Sequence, residues 1–271
     1  MKANTRMQRR HSGNCWKWTG ADLAPTTRMS WHMGNLAATL QQEQKLAEAE
    51  KLYLDVNQTK RRVLGPEHPD TLITMGNLAL VLSSEKRYAD SEKMFRETLE
   101  IKRRRLGRPE HRSTLVTMGN LADVLTAEGQ YAEAEQLVRQ TLETERRTLG
   151  PEHSDTLVTS QGLGMLLKRE KRYAEAEGTF RQTLEGRRRA IGPGHPDTAA
   201  AAYELACVLA LEGKRDESFA NLRFAVEHPL PAETRLGLEK DTDLKSLHGD
   251  ARFDALVASA RQPAAAVQKS N

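Results

Sequence analysis

The stretch Leu64 to Leu72, LGPEHPDTL, returns three times with small changes: LGRPEHRSTL from Leu106, LGPEHSDTL from Leu149 and IGPGHPDTA from Ile191. Its glycines Gly65, Gly107, Gly150 and Gly192 are spaced by 42, 43 and 42 residues, the long step containing the extra Arg108. MGNLA recurs in the same register at Met33, Met75 and Met118, as do KLAEAE from Lys45, RYADSE from Arg87, QYAEAE from Gln130 and RYAEAE from Arg172. Self-similarity at this period means stacked supersecondary units, each unable to bury its apolar face alone.

Each unit divides into two helical patterns. Leu72, Met75, Leu78, Ala79 and Leu82 follow the spacing of one apolar helix face, which predicts a helix A over Thr71 to Lys86. Ser91, Phe95, Leu99 and Lys102 share a stripe from Tyr88 to Leu106 and predict a longer helix B. The turn between them has two or three residues, so the helices run antiparallel. Acids open helix B (Asp90, Glu92; Glu133, Glu135; Glu175, Glu177) and bases close it (Lys102 to Arg105; Arg146, Arg147; Arg187 to Arg189), in the sense the helix dipole favours. These arginines read either as solvated helix ends or as a basic stripe for an acidic partner.

Composition agrees with an all-α chain: aromatics are 5%, and Leu, Ala, Glu, Arg and Gln dominate. The net charge of +4 is concentrated at the front, where residues 1–28 hold six bases against Asp22 alone. Removing these from the totals of 41 bases and 37 acids leaves 35 against 36, which argues against a nucleic-acid partner for the body of the chain. The N-terminus lacks the apolar core of a signal peptide, no run is long enough for a membrane span, and the default compartment is cytoplasmic. Cys15 and Cys207 have no metal-ligand or disulfide spacing.

The linker histidines His68, His111, His153 and His195 occur once per unit, too far apart to share a metal. We read the linker instead as a helix stop and start: Gly65 free to take positive φ, Pro66 blocking continuation, Pro69 in the first turn and Asp70 at the positive end of helix A. No phosphate loop, nucleophile elbow or kinase signature is present, so neither an enzyme nor a cofactor is implied. Cys207 lies on a pattern that buries it.

NLA in helix A followed by Y-A-x-A-E opening helix B resembles the tetratricopeptide repeat, and the LGPEHPDTL linker in a 42-residue unit resembles its kinesin light chain type. The resemblance implies an α-solenoid of stacked antiparallel helix pairs: five hairpins over 27–228, a C-terminal helical cap over 229–262 closed by Leu244, Leu247, Phe253, Leu256 and Val257, and tails at 1–26 and 263–271. The basic leading tail is expected to be poorly ordered. The same resemblance puts function on a concave A-helix surface, as a scaffold that binds an extended peptide or partner segment. Asn35, Asn77 and Asn120 match the position where family members contact peptide, with Gln161 the nearest amide in the fourth unit, where Gly162 replaces the Asn. Each Asn can instead tie neighbouring helices together. Where chaperone-binding members carry a clamp lysine, this chain has Trp31, Ile73 and Val116. An internal peptide held by apolar pockets, with charge from Lys168 and Arg169, is therefore expected rather than a C-terminal carboxylate. Gly34, Gly76 and Gly119 cost about 1 kcal/mol each inside a helix, which suggests close approach of another backbone, from a ligand or from the adjacent helix. A self-assembling repeat protein with weak self-association, or the sensor tail of a signalling system, are the competing roles.

Overall fold

A computed structural model of the chain describes residues 7–9, 16–18, 24–107 and 110–261. The tail at 263–271 and most of 1–26 lie outside these residues, and with them the expected poor order of the leading tail. Within 1–26, the backbones of Met7–Arg9 and Trp16–Trp18 pair antiparallel.

The chain forms two compact units, Met1–Glu128 and Gly129–Asn271. The first contains α1 (Ala24–Gln42), α2 (Leu46–Leu64), α3 (Pro69–Ser84), α4 (Tyr88–Leu106) and α5 (Arg112–Ala127), each packed against the next in the row. The second contains α6 (Tyr131–Thr148), α7 (Ser154–Arg169), α8 (Tyr173–Ile191), α9 (Pro196–Leu211) and α10 (Arg215–Glu227), again in successive contact. It closes with α11 (Ala232–Gly237), two 3-10 turns (Leu238–Lys240 and Thr242–Leu247) and α12 (Ala251–Ala260). Helix A of each repeat thus corresponds to α1, α3, α5, α7 or α9, and helix B to the helix that follows.

The stripes meet as their spacing predicts. Met75, Leu78, Ala79 and Leu82 on α3, and Ser91, Phe95, Leu99 and Lys102 on α4, are all buried. A hairpin that hides so little surface by itself depends on its neighbours for stability, which is why the units come in rows.

The linker histidines have a specific local role. In His68, His111, His153 and His195 the backbone is extended and the ring Nδ1 accepts the backbone N–H two residues on, at 3.2, 3.2, 3.2 and 3.1 Å. They are the N-caps of α3, α5, α7 and α9, satisfying a donor that the first helical turn leaves open. Gly65, Gly107, Gly150 and Gly192 all take positive φ. Thr71, Thr156 and Thr198 then donate to the carbonyls of Gly65, Gly150 and Gly192 at 2.8–2.9 Å, sewing the linker to the helix that follows. The linker lengthened by Arg108 departs from this: Gly107 has φ 57° where the others lie at 84–96°, and the buried Thr114 hydroxyl has no partner among the described residues.

Polar groups repeat as well. Lys60 on α2 donates to the Asp70 carbonyl and Thr74, Lys102 on α4 to the Ser113 carbonyl and Thr117, and Arg187 on α8 to the Asp197 carbonyl. Each cation thereby fastens a B helix to the next A helix. Many of the exposed bases are also matched inside the chain: Arg87 with Glu50, Arg172 with Glu135, Lys214 with Glu177, Arg104 with Glu67 and Arg189 with Glu152.

The cap sits on α9. Leu244, Leu247 and Phe253 are buried and Leu256 nearly so, while Val257 is half-buried. Tyr203 donates its hydroxyl to the Asp241 carboxylate, Ser246 donates to the Ala210 carbonyl at 2.9 Å, and Arg215 pairs with Asp250 at 3.1 Å. Cys207 is fully buried beneath this segment, and burial together with the charge of Asp241 pushes its thiol well above the ordinary range.

Candidate functional site: the groove between α3 and α5

Two A helices of the first unit flank a groove of about 410 Å³ whose floor is α4. From α3 it takes Ile73, Gly76, Asn77 and Leu80; from α5, Val116, Thr117 and Asn120; Phe95 and Lys102 lie beneath. Ile73 and Val116 are each 54% exposed, and together they give the groove an open apolar side. Their exposure follows from helical geometry: they stand one turn ahead of Asn77 and Asn120, on the face that points away from the B helices.

The structure thus brings together Ile73, Asn77, Val116 and Asn120. It places the other sequence-selected residues elsewhere. Asn35 is exposed on α1, Gln161 is half-buried on α7, and Arg169 is exposed at the end of α7. Lys168 is already engaged: its Nζ lies 3.0 Å from Glu204 and 2.8 Å from Asp243, with only 17% of its side chain exposed. Its charge serves the cap. Asn77 lies near the Tyr53 hydroxyl on α2, where it opposes the rise that burial gives the phenol.

The glycines correct an expectation. Among the described residues, a Cβ built on Gly34, Gly76 or Gly119 would meet nothing within 4 Å, so no described neighbouring helix presses on them. At Gly76 the missing side chain leaves the groove open instead. The close approaches are at Gly164, where a Cβ would lie 2.7 Å from Phe180 Cε1, and at Gly186, where it would lie 2.6 Å from Leu157 Cδ2.

Lys102, which the sequence shows only as part of a buried stripe, gives the groove a titrating floor. Its Nζ donates to Thr117 at 2.7 Å and to the Ser113 carbonyl at 3.0 Å, and burial pushes the ammonium down to about 8. The signal for it in the sequence is the register Lys60, Lys102, Glu145, Arg187, which keeps the 42-residue beat. Between pH 8 and the ordinary lysine value of 10.5 the native group is neutral while the unfolded chain still binds the proton. The unfolded state then carries more protons, so this group makes stability rise with pH across that window, by about 1–2 kcal/mol after allowance for partial solvent screening. Comparing urea midpoints of the wild type and Lys102→Met through the window should show the rise in the wild type and its loss in the variant.

Among the described residues no group of three or more His, Cys, Asp and Glu side chains gathers as a metal site, and no helix is long and apolar enough to cross a membrane.

The tetratricopeptide repeat model matches residues 27–104, 113–189 and 160–228. Comparison with curated proteins gives no match. Among solved structures, the chain is similar to a Podosopora anserina protein of kinesin light chain type with nearly identical TPR-like repeats, at 26% identity and a TM-score of 0.65, covering 74% of this chain and 94% of that one. BtubC (BKLC) from P. vanneervenii shares the fold at 15% identity and a TM-score of 0.59, over 89% of this chain and 90% of that one. So does a Rap protein complexed with Competence and Sporulation Factor, at 16% identity and a TM-score of 0.64, over 85% of this chain and 64% of that one. With the family model spanning most of the chain and the helix pairs packed in rows, this chain belongs to the tetratricopeptide repeat family.

Proposed function

We propose that the chain is a protein-binding module that takes an extended segment of a partner along the groove between α3 and α5. The tetratricopeptide fold is a general scaffold for protein–protein interaction, and its members are typically non-catalytic. The observation that carries the reading is the convergence of Ile73, Val116, Asn77 and Asn120 on one open groove. The two apolar side chains offer surface whose burial against a partner is favourable, at roughly 25 cal/mol per Å². Amides can donate and accept at once, so Asn77 and Asn120 suit the alternating polar groups of a peptide backbone. The Rap protein, whose similarity rests on fold alone, is a relative of this architecture seen in complex with a factor.

The test does not require the natural partner. Peptides are selected from a random library on the wild type, and their affinity is then measured for Ile73→Asp/Val116→Asp and for Asn77→Ala/Asn120→Ala. The first pair places charge where the groove is apolar and should weaken binding tenfold or more, with helicity and thermal midpoint retained. Undiminished binding to both folded variants would exclude this groove as the site.

A further inference from the structure

In the first unit Leu72, Met75 and Ile101 form one buried apolar cluster, and Arg61 lays its guanidinium on the Met75 sulfur at 3.3 Å. Arg103 makes the same contact with Met118 at 3.9 Å. Counting along the repeat, the corresponding residues of the second unit are Leu157, Ser160, Gly186 and Arg146. Two large apolar side chains have been replaced by a hydroxymethyl group and a hydrogen. Leu157 leans over Gly186, and beside it opens a hollow of about 500 Å³, walled by α6 and α8 with α7 as its floor.

The hollow has a definite chemistry. Its floor is Leu157 and Ser160, and the Ser160 hydroxyl is already bonded to Thr183 at 2.9 Å, so the floor is largely apolar toward a ligand. Its rim carries Arg146, Gln182 and Arg189. Arg189 is matched by Glu152, and the rim carboxylate of Glu185 is matched by Arg188. Arg146 has lost the sulfur that its counterparts lie against, and among the described residues it has no acidic partner. A planar guanidinium without a counter-ion, beside an apolar floor, suits an oxyanion that carries a short hydrocarbon body. The volume falls within the ordinary range of small-molecule sites, roughly 300–1,000 Å³.

We propose that this hollow is a binding site for a small amphipathic anion, its carboxylate or phosphate on Arg146 and its aliphatic part over Leu157 and Ser160, where the methionine side chain lies in the second repeat. The site is separate from the α3/α5 groove and does not depend on it.

Backbone amide shifts of the full chain, titrated with hexanoate, hexyl phosphate, hexanol and inorganic phosphate, test it. At least one of hexanoate and hexyl phosphate should give saturable shifts at 157–160 and 182–186. Which of them binds more tightly identifies the headgroup. Hexanol and inorganic phosphate, each lacking one half of the required chemistry, should bind at least tenfold more weakly. Arg146→Gln should weaken binding at least tenfold, and Arg147→Gln, the same charge change on the next residue, should not. Ser160→Met, which restores the residue of the first three repeats, should fill the hollow and abolish binding while the thermal midpoint holds or rises. Absence of saturable shifts with both amphiphiles, or wild-type affinity in Arg146→Gln, overturns the proposal; the latter variant is a surface change and decides the matter even if Ser160→Met folds poorly.

Discussion

Lys168→Ala is expected to destabilise the second unit by about 2–3 kcal/mol, less than the cost of breaking a fully buried ion pair because its members keep partial solvent contact. The ammonium lies between Glu204 on α9 and Asp243 in the cap, with side-chain exposures of 17%, 18% and 28%. Burial pulls the Lys168 pKa down, but the charge of Glu204 and the hydrogen bond to Asp243 outweigh it and hold it above the ordinary lysine range. Removing the cation leaves two carboxylates facing each other in poorly solvated surroundings. Urea denaturation measures the loss of stability, and Cys207 reports where it happens. In a Cys15→Ser background the buried Cys207 thiol should be unreactive toward maleimide in the wild type and labelled readily in Lys168→Ala, because the segment that covers it is the one released. A variant with unchanged midpoint and unreactive Cys207 would mean that the cap is held by its apolar contacts alone.

Phe180→Ala is the other large effect, about 3–5 kcal/mol from lost burial plus the cavity left behind. The ring is fully buried on α8 and packs so closely on α7 that Gly164 has no room for a methyl group. Neighbouring side chains can shift into the vacancy only partly, which sets the cost. Phe180→Leu should lose less than Phe180→Ala in the same urea experiment. Equal losses would show that ring shape, rather than volume, is what the α7–α8 contact requires.

The helices, their pairing and the linker stops are legible because the sequence repeats them: a residue such as Phe95 or Leu99 is placed by its own period and by its equivalents a unit away. Four groove residues, Ile73, Asn77, Val116 and Asn120, are found by the same register. Other features carry no period. Lys168 reads in the sequence as a charge for a ligand, but its partner Asp243 lies 75 residues further on, in a segment outside the repeats. The glycines of MGNLA look crowded in one dimension because glycine weakens a helix; in three dimensions the tight positions are Gly164 and Gly186, set by a ring and a leucine on the neighbouring helix. The capping role of the histidines is hard to see in sequence because side-chain caps are sought among Ser, Thr, Asp and Asn, whereas an extended His presenting Nδ1 satisfies the same amide.

The His-capped linker has a bearing on how such a chain can change length. Because α3, α5, α7 and α9 are each started by a ring two residues from the first bonded amide, and α2, α4 and α8 are each fastened by a cation to the A helix that follows, the instructions for such a joint lie within one period. A copied or deleted repeat, cut at equivalent linkers upstream of α9, would present its neighbours with the same histidine cap. The last pair cannot be treated this way, since Tyr203, Cys207 and Glu204 are tied to the closing segment. The described repeats upstream of α9 therefore share one way of starting a helix, and gain or loss of binding surface by in-frame recombination is a change such a fold can absorb.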